Sequence, residues 1–217
     1  MYSREQWINW HLEDRPGDPK PAKVPFSVAG QHRIDPHDRT AWLSYAEAVA
    51  LDAQHIGVVL TANDPYFCID LDHAWNGTEW SAQSIDVLAR FPGAYVEVSH
   101  SGDGLHIIGQ GTPPAGYMTR GPGVEFYTHS RFIAITGTSA YGDPDAFDHT
   151  AGLAAFAAMY LKPDLPMVPG SVAEWTTEAV EGAHGPNLTD ADLVKKIFEA
   201  RKSAAVVFAG KVSAEDL

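Results

Sequence analysis

Three short stretches hold most of the side chains able to do chemistry. The first is Tyr66-Phe-Cys-Ile-Asp-Leu-Asp72. On a strand, alternate residues face the same way, so Cys68, Asp70 and Asp72 share one side and Phe67, Ile69 and Leu71 the other. Two carboxylates on one side of a strand with an apolar back repel each other, and partial burial amplifies the repulsion. A cation or a basic partner offsets it, and a D-x-D pair suits Mg²⁺ or Mn²⁺ because hard cations prefer carboxylate oxygens. The plainer alternative is a strand running out into solvent with two hydrated acids.

The second stretch is Tyr95-Val-Glu-Val-Ser-His-Ser-Gly-Asp-Gly-Leu-His106. Here a strand enters a Ser/Gly loop and leaves as a second strand carrying His106. Small residues let backbone amides approach an anion, serine hydroxyls add donors, and His106 can add another. The dinucleotide-binding fingerprint differs in spacing and is followed by a helix. A hairpin in which Gly102 and Gly104 supply positive φ explains the same residues, and His73 and His100 read as solvated. The third stretch is Gly123-Val-Glu-Phe-Tyr-Thr-His-Ser-Arg-Phe-Ile-Ala-Ile-Thr-Gly137. It sets Glu125 and Tyr127 opposite Val124 and Phe126, and opens its next strand with Arg131, whose planar fork suits a phosphate or one of the nearby carboxylates. Together these groups resemble the inventory for phosphoryl transfer from a nucleoside triphosphate.

Regular elements must position these groups. Helices are predicted at Ser44–Gln54, at Ser81–Phe91 with Ser81 as cap, and at Ala151–Leu161. Strands are predicted at Gly57–Thr61, Tyr66–Asp72, Ala94–His100, Leu105–Gln110, Gly123–Thr128 and Arg131–Thr136. Helices among strands close enough for hairpins predict an α+β fold with antiparallel pairs. Composition breaks near residue 161. Residues 1–161 read as one catalytic domain, 162–187 as a Pro/Gly-rich linker, and 188–217 as the start of a helical segment of a longer polypeptide. In that segment Leu193, Ile197 and Ala200 share a face and Thr189 with Asp192 marks the start.

The 217 residues include 15 Lys+Arg against 28 Asp+Glu, a net charge of −13, 11% aromatics and one cysteine. The aromatic content excludes intrinsic disorder. One cysteine excludes an internal disulfide framework and a Cys-rich zinc site. With no apolar run near the roughly 20 residues of a membrane span, and no apolar stretch at the start, the chain reads as soluble and cytoplasmic. The acidic balance argues against tight, non-specific duplex binding.

The order CIDLDHAW, VEVSHSGDGLHII, VEFYTHSRFIAITG resembles the three-motif series of the archaeo-eukaryotic primase superfamily, and more narrowly the primase-polymerase domains of phage and plasmid replication proteins. Trp7, Trp10, KVPFS, TAWLSYAEAVA and IGVVL resemble the usual entry of the phage branch, so the likeness covers about residues 5–160. It implies a two-part α+β unit with an RRM-like mixed or antiparallel sheet carrying the acids. It also implies template-directed nucleotidyl transfer from (d)NTPs by a two-metal mechanism, with Asp70, Asp72 and Glu125 holding two Mg²⁺ or Mn²⁺ ions and no zinc. His106, Ser101, Gly102, Arg131 and Lys23 correspond to nucleotide-binding positions. The implied partners are single-stranded or primed DNA, (d)NTPs and a C-terminal helicase domain. Two departures stand out: Gly104 where many relatives have serine, and the acidic Asp103 inside the loop. A metal-dependent nuclease or phosphohydrolase, and a non-catalytic nucleotide-binding replication module, are the alternatives to a polymerase.

Overall fold

The computed structural model describes residues 1–51 and 55–162. The predicted linker beyond Lys162 and the helical segment at 188–217 lie outside the described residues. Among the described residues, ten strands form two antiparallel sheets. The first sheet contains β1 (Trp7–Glu13), β2 (Ala22–Ser27), β3 (His32–Arg33), β4 (Ile56–Leu60) and β10 (Arg131–Ile135), in the order β10-β4-β1-β2-β3. The second contains β5 (Tyr66–Leu71), β6 (Tyr95–Val98), β7 (Leu105–Gln110), β8 (Arg120–Gly121) and β9 (Val124–Tyr127), in the order β6-β7-β5-β9-β8. Helices α1 (Tyr45–Ala50), α2 (Ala82–Arg90) and α3 (Thr150–Tyr160) complete the described part. The α+β class with antiparallel sheets is as expected.

Residue alternation builds two cores from the second sheet. Phe67, Ile69, Leu71, Leu105, Ile107, Val124 and Phe126 face α2 and α3, where Val87, Leu88, Leu153 and Phe156 close over them. The opposite side presents Tyr66, Cys68, Tyr95 and Ile108, which pack on Trp7, Val58, Leu60, Ile133 and Ile135 of the first sheet. The strand carrying Asp70 therefore lies mid-sheet, its back sealed by helices and its front turned to the other sheet.

Local signals set the helix starts. Ser44 and Glu47 form a complete capping box on α1, and the Ser81 hydroxyl accepts from the Ser84 amide at the head of α2. The sequence prediction missed β1, β2 and β3. Trp7, Ile8, Asn9 and Trp10 are all buried, so β1 lacks the polar/apolar alternation that marks a half-exposed strand. Asn9 donates to the Ala48 carbonyl at 2.9 Å, tying β1 to α1.

Candidate active site

Strand register assembles the site. Asp70 on β5 lies opposite His106 on β7 and opposite Glu125 on β9, and His106 in turn lies opposite Glu97 on β6. One step further along the same front face than the apolar Cys68–Ile108 pair, the side chains become acidic and basic. From the first sheet, Arg131 occupies the corresponding step beyond Ile133 on β10. Asp70, His106, Lys23, Arg131 and Tyr127 line a cleft of about 440 Å³ between the two sheets.

Its electrostatics set one half-buried carboxylate among basic side chains. Burial pushes the Asp70 carboxyl above the usual carboxylate range; His106 and Lys23 pull it down, while Asp72 and Glu125 push it up. His106 Nε2 is 3.8 Å from Asp70 Oδ1. Burial lowers the Lys23 pKa, Arg131 adds to that, and Asp70, Asp72 and Glu97 oppose it. The Lys23 ammonium lies 5.8 Å from the centroid of the Trp10 ring, and the Arg131 guanidinium stacks 4.7 Å from that of Tyr127.

The expected acids are brought to one neighbourhood but not into one cage. Asp72 is exposed just past the end of β5, its amide bonded to the Gly123 carbonyl at 3.2 Å. Glu125 forms an ion pair with Arg120 Nη2 at 2.9 Å through one oxygen and accepts from the Tyr127 hydroxyl through the other. The partner of Glu125 is thus Arg120, not Arg131. Among the described residues no group of three His, Cys, Asp or Glu side chains is gathered as a metal site. The donor chemistry nevertheless fits a hard divalent cation: three carboxylates, no thiolate within reach of solvent, and a half-buried Asp70 whose negative form is penalised by both acidic neighbours.

The Ser/Gly loop sits differently from the cleft. Gly102 has φ +83° and lines a second cleft of about 320 Å³ with Trp10, His55 and His100, rather than the one holding Asp70. Ser101 donates to Asp103 and is 3.0 Å from the Ser99 hydroxyl. Asp103 also receives His73 Nδ1 at 2.7 Å, so this acid is turned toward His73 and its pKa is lowered, first by Ser101 and then by His73. Gly104 has no positive φ. A Cβ there would lie 2.7 Å from both the Leu71 carbonyl and the Ser99 hydroxyl, so close packing excludes the serine of related sequences.

Glu97 was not singled out from the sequence. It has no exposed surface, and its Oε1 is 2.8 Å from His106 Nδ1. The only sequence signal was its place on the Tyr95 face of an otherwise apolar strand.

No protein-family model matches the chain. It is similar to the DNA primase-polymerase of Nitratiruptor phage NrS-1, with 31% identity over 154 residues, 64% of this chain and 20% of that protein. The similarity bears out the resemblance to a phage-type primase-polymerase domain. The chain spans about a fifth of the length of this curated relative.

Proposed function

We propose that this chain is the nucleotidyl-transfer domain of a DNA primase-polymerase, extending a primer on single-stranded DNA from nucleoside triphosphates. The observation that carries the proposal is one cleft that sets Asp70 and His106 of the second sheet against the cations Lys23 and Arg131 of the first. A triphosphate brings about four negative charges, which Lys23 and Arg131 offset without a proton transfer. His106 Nε2, directed toward Asp70, orients the phosphate nearest the acids. Asp70, Asp72 and Glu125 are the residues that would hold divalent cations, which when bound supply charge stabilisation and activation of the attacking hydroxyl. The net charge of −13 predicts weak, salt-sensitive template binding by this chain alone.

The test is extension of a primed single-stranded template with Mg²⁺ or Mn²⁺. Wild-type protein is expected to extend it in a template-matched manner, and Asp70→Ala/Asp72→Ala to lose at least about 10³-fold in rate, roughly 4 kcal/mol of transition-state stabilisation. Equal activity of the double variant would sink the proposal. Loss of activity on changing His106 or Arg131 separates a triphosphate-using polymerase from a nuclease, which needs carboxylates but no triphosphate clamp.

A further inference from the structure

Glu97 is a carboxylate with zero exposure in the middle of a sheet, a placement that is costly unless every lone pair is used. All of them are. Oε2 accepts from the Tyr95 hydroxyl at 2.8 Å, the Thr136 amide at 2.9 Å and the Gly137 amide at 2.7 Å. Oε1 faces His106 Nδ1 at 2.8 Å.

These partners come from three separate pieces of chain. Tyr95 shares β6 with Glu97. His106 stands opposite it on β7. Thr136 and Gly137 form the turn leaving β10, which belongs to the other sheet and carries Arg131 at its far end. Gly137 has φ +64°, a conformation that lets two successive amides point at one oxygen. The Thr136 hydroxyl also donates to the Val98 carbonyl at 2.7 Å, closing the same junction from the other side. Glu97 therefore joins the strand of the cleft histidine to the strand of the cleft arginine.

We propose that Glu97 is the positioning residue for His106: it accepts a hydrogen bond from Nδ1–H, fixes the ring plane, and leaves Nε2 as the nitrogen presented to a phosphate in the cleft. Three donors on Oε2 suit the carboxylate form, which has only acceptors to offer, so the shared proton sits on Nδ1. A flipped ring would set a C–H against the buried Oε1 and leave that oxygen unpaired. With His106 itself only 3% exposed, the ring has no solvated alternative. The inference rests on the primase-polymerase proposal only for the identity of the phosphate.

The test is Glu97→Gln. Its amide oxygen can keep the three donors at the Oε2 position, but its NH₂ then faces His106 Nδ1, which must accept, and the ring proton moves to Nε2. In ¹⁵N-histidine-labelled protein, wild type is expected to show a strongly downfield Nδ1 proton that Glu97→Gln lacks. That arm needs no turnover, so it decides the His106–Glu97 pairing whether or not the chain extends primers. In the extension assay, Glu97→Gln is expected to raise KM for dATP about tenfold with a smaller change in kcat. The effect should vanish in a His106→Ala background, since a residue acting through another is not additive with it. Tyr95→Phe, which removes a different bond to the same carboxylate, controls for stability: it lowers Tm and leaves KM unchanged. An unchanged downfield proton in Glu97→Gln, or full additivity with His106→Ala, would overturn the proposal.

Discussion

The space between the two sheets has two ends built from the same strands. At one end Cys68 and Ile108, neither with any exposure, press against Val58, Leu60, Ile133 and Ile135 and the sheets close. At the other, one step further on each strand, Asp70, His106 and Arg131 replace them and the sheets enclose a cleft of about 440 Å³. Backbone pairing is continuous through both ends, with Cys68 opposite Ile108 and Asp70 opposite His106 in a single ladder. The difference lies in the side chains alone: apolar groups gain by excluding water, whereas charged ones must stay solvated or be paired. The closed end is a brace, and the open end is where charge is tolerated.

Moving charge across that boundary should have the largest effect. Cys68→Asp places a carboxylate one step into the closed end, where burial already pushes the native thiol well above its usual pKa. The expected cost is about 4 kcal/mol or more, enough to unfold a marginal domain. Circular dichroism and denaturant melts would read it. Near-native stability of this variant would mean that the two ends are equally wet and would break the comparison. Ile108→Ala, which leaves a cavity in the same place without a charge, is expected to cost about 3 kcal/mol and to leave KM for nucleotide unchanged.

How far the molecule was legible follows the same division. Asp70, His106, Glu125 and Arg131 could be read from the chain because strand alternation and motif order are local. Their convergence is not local: β7 reaches β5 only after α2 and β6, β9 returns to the other edge of β5, and Arg131 comes from the first sheet. What was missed depends on contacts between distant segments. β1 is covered on both sides, so Trp7 to Trp10 carry no alternation. Glu97 looks like any strand residue until the Thr136–Gly137 turn, about forty residues away, is folded onto it. The two-residue strand β8, which brings Arg120 to Glu125, is too short to carry a pattern. The placing of Gly102 on a second cleft likewise depends on Trp10 and His55 arriving from the first sheet.

The open end should show the signature of a site kept against stability. Asp70 has its native pKa raised, mainly by burial and also by Asp72 and Glu125. A carboxyl whose folded pKa exceeds its unfolded one binds protons more readily when folded, so its contribution to stability falls as pH rises through the folded value. Asp70→Asn is therefore expected to raise Tm at pH 7.5, by about 2–4 °C if the relief is near 1 kcal/mol, while abolishing primer extension. The gain should shrink as pH is lowered through the raised pKa of Asp70, where the wild-type carboxyl becomes neutral. A lower Tm for Asp70→Asn at pH 7.5 would show instead that His106 and Lys23 already compensate the charge.

The smallest effect concerns Arg120, and it sharpens what the open end is poised to do. Arg120 is largely exposed, yet its guanidinium occupies the carboxylate that the motif series pairs with Asp70 as a cation ligand. A cation approaching Glu125 must compete with this bond and with the Tyr127 hydroxyl. Solvent screens an exposed ion pair, so removing this one should tighten divalent cation binding by no more than about fivefold. Arg120→Gln is accordingly expected to bind Mn²⁺ about two- to fivefold more tightly, measured by calorimetry or by the loss of the free-ion paramagnetic resonance signal. Raising the salt concentration should erode the advantage, because an exposed pair is already screened in wild type. Weaker Mn²⁺ binding by Arg120→Gln would mean that the guanidinium holds Glu125 in place for the cation instead of competing with it, and the open end would then be an assembled site rather than one that its ligands complete.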